Sequence, residues 1–97
     1  MENSERSMDV LGEAGAINLI SLIDREGEIQ TVDIRNVPGG YYRLKKVLDD
    51  LKGIGIIEVE LIEKPYLTYK YRLTEKGKKV AIKLREIRKI IGDVPKE

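Results

Sequence analysis

The sequence predicts a single α+β domain in which helices surround one two-stranded hairpin. Ninety-seven residues with 41% hydrophobic content are enough for one core and leave no room for two. Apolar residues recur with the helical period of 3.6 as far as residue 52, and they alternate with polar residues between residues 57 and 73. After residue 74 the helical period returns. The chain is therefore expected to form helices, then a hairpin, then a last helix.

The N-terminal region is predicted to contain a disordered tail followed by one long helix. Residues 1–8 are polar and carry no capping signal, so we expect them to be disordered. Asp9 can cap a helix that runs to about residue 25. A helix that is apolar nearly all round is buried on more than one side. The apolar residues of this helix are Ala16, Ile17, Leu19, Ile20, Leu22 and Ile23.

A short second helix is expected between two breaks in the chain. Gly27 ends the first helix, and residues 28–30 form a short extended piece. Thr31 is a good N-cap for a helix over residues 32–36. That helix ends before Pro38, because the residue that precedes a proline is disfavoured in the α region.

The helix predicted over residues 40–52 has two different faces. The spacing i, i+3, i+4, i+7 defines a buried stripe of Leu44, Val47, Leu48 and Leu51. The opposite face carries Tyr42, Lys46 and Asp49, with Arg43 and Lys45 on its flanks. Gly39 or Gly40 can serve as the N-cap, and Gly53 suits the left-handed position that ends a helix. A short helix, a glycine turn and a longer basic helix are the outline of a helix-turn-helix.

The alternating segment predicts an antiparallel hairpin. Residues 57–61 and 67–73 alternate with period 2, and residues 63–66 suit a four-residue turn between them. Lys70 and Arg72 lie on the outward face of the second strand, and the first strand carries acidic residues on its outward face. Two interpretations remain open for these two basic residues, namely cross-strand charge pairing and contact with a polyanion.

The last helix is predicted over residues 74–91, with Thr74 as its cap. Five apolar residues form a heptad-like seam along it, and they are Val80, Leu84, Ile87, Ile90 and Ile91. This seam exceeds what one small domain needs to cover, so we expect a homodimer. Residues 92–97 are expected to form a C-terminal tail.

The absence of cysteine and histidine excludes several classes of function. Disulfides, thiol nucleophiles, zinc sites with Cys or His ligands and histidine bases are all ruled out. The adjacent carboxylates of Asp49 and Asp50 are about 100° apart on a helix and do not converge on a metal. We therefore expect no enzyme activity, no metal and no cofactor.

Charge and hydropathy indicate a cytoplasmic protein with a polyanionic partner. The chain has no apolar run long enough to span a bilayer and no signal-peptide core. The charged content of 36% together with the missing cysteine is typical of proteins from thermophiles. Residues 1–36 hold three basic and eight acidic groups, whereas residues 37–97 hold 15 and nine. The basic second part favours a polyanionic partner.

The order of the predicted elements resembles the winged helix-turn-helix domain of small prokaryotic transcription regulators of the MarR, ArsR and PadR kind. The short archaeal and archaeal-viral versions are the most similar. The resemblance covers residues 9–91. Its most specific segments are YYRLKKVLDDL at 41–51 with GIGII at 53–57, and YRLTEKGKK at 71–79. The second segment resembles the junction of the family between its last strand and its last helix.

The resemblance implies a sequence-specific regulator that binds double-stranded DNA. It makes residues 40–52 the recognition helix in the major groove and residues 62–67 the wing on the DNA backbone or minor groove. Arg43 becomes the best candidate for bidentate contact with guanine. Asp49 would limit DNA contact to the first two helical turns. The implied DNA-binding residues are Thr31, Gly40, Tyr41, Tyr42, Arg43, Lys45, Lys46, Lys64, Tyr66, Lys70 and Arg72.

Winged helices also serve as protein–protein interaction modules in transcription, replication and chromosome complexes. This is the alternative function. A basic recognition helix and wing favour DNA, whereas an exposed apolar patch on the same elements would favour a protein partner. The sequence does not reveal the operator sequence or whether a small effector ligand binds.

Overall fold

The computed structural model describes residues 4–37 and 39–92 and confirms the α+β prediction. The elements along the chain are α1 (Ser4–Leu11), α2 (Ala16–Glu26), β1 (Ile29–Gln30), α3 (Thr31–Arg35), α4 (Tyr41–Gly53), β2 (Ile57–Ile62), β3 (Thr68–Leu73) and α5 (Glu75–Ile91). The strands form one antiparallel sheet in the order β1, β3, β2, so β3 is central. Within the described residues, no helix is both long and apolar enough to cross a membrane.

The hydrophobic core lies where α2, α4 and the sheet meet. Its largest fully buried side chains are Leu19, Ile20, Ile23, Ile29, Ile34, Leu44, Leu48, Leu51, Ile57 and Tyr71. The stripe predicted on the helix over residues 40–52 is therefore buried as expected, and so are Ala16, Leu19, Ile20 and Ile23 of the first long apolar segment. Burial of a side chain of this size contributes about 1.5–3 kcal/mol, so these two helices and the sheet hold the fold together.

The prediction of a disordered tail over residues 1–8 is wrong for the part that the structure describes. Residues 4–8 belong to α1, while residues 1–3 lie outside the described residues. The domain accordingly begins near residue 4 and not at residue 9. Val10 is buried in the core, and α1 packs against α4. Because α1 contains only a few apolar residues, tertiary packing and not its own periodicity stabilises it.

The single long helix predicted from Asp9 is interrupted by a turn between α1 and α2. Gly15 is the N-cap of α2 and has φ of 92°, a left-handed conformation that residues other than glycine seldom adopt. A Cβ at this position would also lie 2.9 Å from Leu44 Cδ2. The turn therefore requires glycine, both for its backbone angle and for close approach to α4.

The start of α3 differs by one residue from the prediction. Gln30 is the N-cap, and its backbone N–H donates to the Asp33 carboxylate at 2.8 Å. Thr31, predicted to be the cap, is the first helical residue. Its Oγ1 instead accepts a hydrogen bond from the Tyr69 backbone N–H at 3.2 Å and so ties α3 to β3. The hydrogen bond with Tyr69, which is distant in sequence, explains why Thr31 is not the N-cap.

The N-terminus of α4 agrees with the prediction, whereas its C-terminus differs from it. Gly40 is the N-cap, with φ of 88°. At the C-terminus the left-handed residue is Gly55, with φ of 82°, and not Gly53, which is the last residue of the helix. Gly55 N–H donates to Lys52 O at 3.0 Å and Ile56 N–H donates to Leu51 O at 2.9 Å. These two bonds form a Schellman motif two residues later than expected.

The hairpin of β2 and β3 is confirmed, with its register running from Ile57 opposite Leu73 to Ile62 opposite Thr68. Residues 63–67 connect the two strands and form the wing loop, which is one residue longer than the turn predicted over residues 63–66. β1 adds a third strand, which pairs Ile29 with Tyr71. The sequence analysis identified this short extended piece but did not assign it to the sheet.

The junction between β3 and α5 explains the motif that carried part of the family resemblance. Thr74 caps α5, as predicted, because its Oγ1 accepts the Gly77 backbone N–H at 2.9 Å. Gly77 is buried, and a Cβ there would lie only 2.0 Å from the Ile56 carbonyl oxygen. The helix therefore packs directly on the backbone of the segment before β2. α5 ends at Gly92, and residues 93–97 of the predicted tail lie outside the described residues.

Candidate nucleic-acid interface

The outward face of α4 is the centre of the candidate interface. Tyr42 is 86% exposed on this face, opposite the buried stripe. Arg43, Lys46 and Asp49 are also exposed, and Lys45 is half-buried. The helix therefore presents aromatic and basic groups in its first two turns, and its acidic groups begin in the third turn. This arrangement agrees with the two faces that the sequence predicts.

Arg43 is engaged in hydrogen bonds within the protein. Its Nε donates to the Gly39 carbonyl oxygen at 2.9 Å, and its Nη1 donates to the Ala14 carbonyl oxygen at 3.2 Å. The guanidinium therefore links the start of α4 to the turn between α1 and α2. The sequence analysis placed Arg43 on the edge of the exposed face but had no signal for these two acceptors.

The two lysines of α4 are paired with aspartates one turn later. Lys46 Nζ lies 2.8 Å from Asp50 Oδ2, and Lys45 Nζ lies 3.6 Å from Asp49 Oδ1. Lys45 also lies over the Tyr69 ring, 5.3 Å from its centroid. Lys45 thus faces β3, whereas Lys46 keeps a side chain that is 71% exposed. Such exposed pairs are weak and exchange readily for other anions.

An acidic residue from the turn between α1 and α2 adds to the pair of Lys46 and Asp50. Burial, together with a hydrogen bond to Asp50, raises the pKa of the Glu13 carboxyl. The hydrogen bond from Lys46 lowers the pKa of Asp50. The hydrogen bond to Asp50 in turn raises the pKa of Lys46. Lys46 is therefore a cation flanked by two carboxyl groups at the edge of α4.

Arg35 is a candidate residue that the sequence analysis missed. Its Cζ lies 5.0 Å from the centroid of the Tyr41 ring, and the Tyr41 and Tyr42 rings contact each other edge to face with centroids 5.3 Å apart. Arg35, Tyr41 and Tyr42 form a cluster at the N-terminus of α4, which we call the arginine–tyrosine cluster. No spacing rule joins the end of one helix to the start of the next, so sequence pattern alone does not reveal it.

The wing loop, residues 63–67, is exposed along its whole length. Lys64 lies there, as predicted. Tyr66 is 77% exposed and Leu67 is 69% exposed. Val32 on α3 is a further exposed apolar residue. The elements expected to contact DNA therefore carry apolar as well as basic groups.

Lys70 and Arg72 take part in cross-strand ion pairs, the first of the two interpretations that the sequence left open. Arg72 Nη2 lies 2.8 Å from Glu60 Oε1, and Arg72 Nε lies 3.1 Å from Glu28 Oε1. Lys70 Nζ lies 3.5 Å from Glu28 Oε2. The hydrogen bonds to Glu60 and Glu28 raise the pKa of Arg72. Since side chains alternate along a strand, both residues lie on the face of β3 opposite the buried Tyr71.

The remaining predicted contacts occupy different environments. Gly40 is exposed at the start of α4, whereas the Thr31 hydroxyl oxygen already accepts the Tyr69 N–H. The structure thus brings Gly40, Tyr41, Tyr42 and Arg43 together at one helix end. Lys64 and Tyr66 lie apart from them, on the wing loop.

The predicted dimer seam divides into two parts along α5. Val80 and Leu84 are partly buried against the core of their own chain. Ile87, Ile90 and Ile91 are exposed, Ile90 by 82%. Ile82 is also 45% exposed, and the most exposed apolar residues of α5 lie beyond residue 86. Among the described residues, no group of His, Cys, Asp or Glu side chains is arranged to hold a metal ion.

Comparison with known proteins identifies a structural neighbour. No family model matches the sequence, and no curated protein matches it significantly. Among solved structures, the chain is similar to a protein described as a transcriptional regulator homologue from Pyrococcus horikoshii OT3, with a TM-score of 0.74 and 14% identity. The match covers 86% of this chain and 85% of that chain. The likeness concerns the fold and, with the sheet order, establishes a winged helix-turn-helix architecture.

Proposed function

We propose that this protein is a transcription regulator that binds double-stranded DNA in a sequence-specific manner. The observation that carries the proposal is the two-faced α4, which buries one stripe completely and exposes an aromatic and basic N-terminal half. An α-helix of this kind fits the major groove, where its first residues reach base edges. The structural neighbour, described as a transcriptional regulator homologue, supports the same function.

In this proposal α4 enters the major groove with its first two turns. Tyr42 packs on a base edge or binds a phosphate, and Lys46 exchanges Asp50 for a phosphate oxygen. Lys64 and Tyr66 on the wing loop contact the backbone or the minor groove. Lys70 and Arg72 are left out of this interface, because they are paired with acidic residues and their side chains are only 29% and 36% exposed, compared with 71% for Lys46.

The proposed assembly is a homodimer formed through the C-terminal part of α5. Ile87, Ile90 and Ile91 would pack against the same residues of a second copy, because a two-fold interface brings one patch against itself. Two recognition helices would then reach half-sites roughly 34 Å apart, which is one turn of DNA. The operator would accordingly be pseudo-palindromic.

The experiment that tests the proposal is a selection from a random duplex library with the purified protein. We expect one enriched, pseudo-palindromic site. Titrations of that site and of a scrambled duplex at several salt concentrations should show tighter binding of the selected site. The affinity for both should fall as salt rises, since each neutralised phosphate contributes about 0.9 to the slope of log affinity against log salt. A selection without enrichment and the absence of salt-dependent binding would refute the proposal.

A second candidate function, a protein–protein interaction module, is supported by one observation. Val32, Tyr42, Tyr66 and Leu67 are all exposed on α3, α4 and the wing loop. Exposed apolar groups on these elements are the feature expected of a protein-binding surface. The same selection separates the two functions, because a protein-binding module would enrich no duplex.

A further inference from the structure

Two arginines lie beside the N-terminus of α4, and the structure uses them differently. Arg43 donates to the carbonyl oxygens of Gly39 and Ala14. The bond to Ala14 connects residues that are 29 positions apart in the chain. A bidentate contact with guanine would use Nε or Nη1 of Arg43, and each of these atoms already donates within the protein. Its position therefore suits a residue that holds α4 against the turn between α1 and α2.

Arg35, unlike Arg43, is not held by hydrogen bonds to other described residues. It is exposed at the end of α3, and its guanidinium lies over the Tyr41 ring at 5.0 Å. Within residues 4–37 and 39–92, no carbonyl or carboxylate group forms a hydrogen bond or ion pair with this guanidinium. An arginine that stacks on an aromatic face keeps the N–H groups along its edge free to donate. Stacking also limits the rotamers of a side chain that would otherwise be flexible.

The arginine–tyrosine cluster is continuous with the exposed face of α4. The Tyr41 ring contacts Tyr42 edge to face, and Tyr42 is the most exposed aromatic residue of that helix. A duplex that contacts Tyr42 therefore comes within reach of the Arg35 side chain.

We infer that Arg35, and not Arg43, is the arginine that recognises the duplex, and that Tyr41 is the residue that positions it. Arg35 donates two parallel hydrogen bonds to two adjacent acceptors. These are O6 and N7 of a guanine or two oxygens of one phosphate, which share the same bidentate chemistry. This inference rests on the proposed function and names a specific contact within it.

The first test compares Arg35→Ala, Arg35→Lys, Arg43→Ala and Lys83→Ala on the selected duplex. Lys83 is an exposed lysine of α5 paired with Glu86, so its variant removes one positive charge far from α3 in sequence and outside the proposed interface. We expect Arg35→Ala to weaken binding roughly 5- to 150-fold relative to Lys83→Ala, the range for loss of a bidentate base contact. Arg43→Ala should lower the unfolding midpoint but keep the base preference of the folded protein.

The same variants distinguish the two acceptors. If Arg35 contacts guanine, Arg35→Ala and Arg35→Lys both lose preference at one position, and replacing that guanine by 7-deazaguanine weakens wild type but not Arg35→Ala. If Arg35 contacts a phosphate, Arg35→Ala weakens all duplexes alike and reduces the salt slope by about 0.9. In that case Arg35→Lys largely restores binding.

A double-mutant cycle tests the positioning role of Tyr41. Tyr41→Phe keeps the ring and should bind like wild type. Tyr41→Leu removes the ring and should weaken binding in the wild-type background but not in the Arg35→Ala background, because the effect acts through Arg35. If Tyr41→Leu weakens binding equally in both backgrounds, Tyr41 has only a structural role, and the proposal that it positions Arg35 is overturned.

The inference as a whole is overturned if Arg35→Ala binds as tightly as Lys83→Ala, or if Arg43→Ala, folded by circular dichroism, loses the base preference. These outcomes leave the proposed function intact, because wild type still selects a site. Failure of the wild-type protein to bind any duplex would instead overturn both the inference and the proposed function.

Discussion

Gly77 shows how one residue without a side chain determines where a helix packs. A Cβ at Gly77 would lie 2.0 Å from the Ile56 carbonyl oxygen, a backbone atom that cannot move without displacing β2. A Cβ at Gly12 would meet its nearest atom, the Asp9 carbonyl oxygen, at 3.5 Å. Gly77 is therefore required by its surroundings, and Gly12 is not.

We predict that Gly77→Ala lowers the free energy of unfolding by about 3 kcal/mol, the upper end for overpacking. Gly12→Ala, the control, should change it by less than about 1 kcal/mol. Urea unfolding followed by circular dichroism measures both. Equal stability of the two variants would show that α5 does not approach the Ile56 backbone as closely as described.

Tyr71 is a buried tyrosine whose hydroxyl has no hydrogen-bond partner among the described residues. It is 1% exposed, and burial raises the pKa of its hydroxyl to about 12. The pKa in the unfolded chain is about 10. The folded state thus holds this proton more tightly. The resulting stability is fully present below about pH 10 and is lost as the pH rises towards 12.

We predict that Tyr71→Phe is more stable than wild type at pH 7 by about 1 kcal/mol, because the unsatisfied hydroxyl is removed. The difference should grow between pH 10 and 12, because Tyr71 ionises in the unfolded wild type but keeps its proton in the folded state, which favours unfolding of wild type alone. Urea titrations at pH 7, 10 and 11 measure it, with Tyr66→Phe on the exposed wing loop as the control. A variant that is less stable than wild type at every pH would show that the hydroxyl has a stabilising partner.

At the scale of elements, the turn between α1 and α2 changes the charge of the exposed face of α4. Glu13 from this turn and Asp50 from α4 flank Lys46, and the Lys46–Asp50 pair lies at 2.8 Å. In the proposed function these carboxylates compete with phosphate for the same lysine. The pair of Lys45 and Asp49 repeats this arrangement on the side that faces β3.

We predict that Asp50→Asn binds DNA roughly two- to tenfold more tightly at low salt, because a negative charge near the duplex is removed and Lys46 is released. The slope of log affinity against log salt should become steeper. Glu86→Gln, which breaks a comparable exposed pair on α5, is the control and should leave affinity unchanged. Weaker binding by Asp50→Asn would mean that Asp50 orients Lys46 for the contact.

For the whole molecule, the distribution of apolar surface on α5 suggests how two copies meet. Val80 and Leu84 pack against their own core, and the most exposed isoleucines of α5, Ile90 and Ile91, lie beyond them. A substitution at Leu84 would therefore disturb the fold as well as any interface. Ile90, at 82% exposure, offers a cleaner site for a test.

We predict that Ile90→Glu is monomeric at micromolar concentration while wild type is a dimer, because a buried charge would face its symmetry mate. Sedimentation equilibrium measures the mass, and Val32→Glu, on an exposed apolar residue of α3, is the control. The variant should keep its circular dichroism spectrum and bind a half-site normally. A monomeric wild type, or an unchanged mass for Ile90→Glu, would contradict the proposed assembly.

Local patterns in the chain predict most of the architecture. The stripe of α4, the presence of the hairpin and the Thr74 cap all depend on contacts within a turn or between neighbouring strands. Such contacts repeat with the period of the element, and the period is visible in the sequence. For the same reason the exposed position of Tyr42 and the basic half of α4 could be predicted without coordinates.

Other features depend on residues that are distant in the chain, and only the folded molecule reveals them. α1 packs on the core through Val10, and the Schellman motif that follows α4 uses Gly55 and not Gly53, with Ile56 and Leu51 buried together. Arg43 finds an acceptor 29 residues away, and Arg72 finds Glu28 44 residues away. The partner of such a charged side chain is set by tertiary structure. It cannot be predicted from the local periodicity of the sequence.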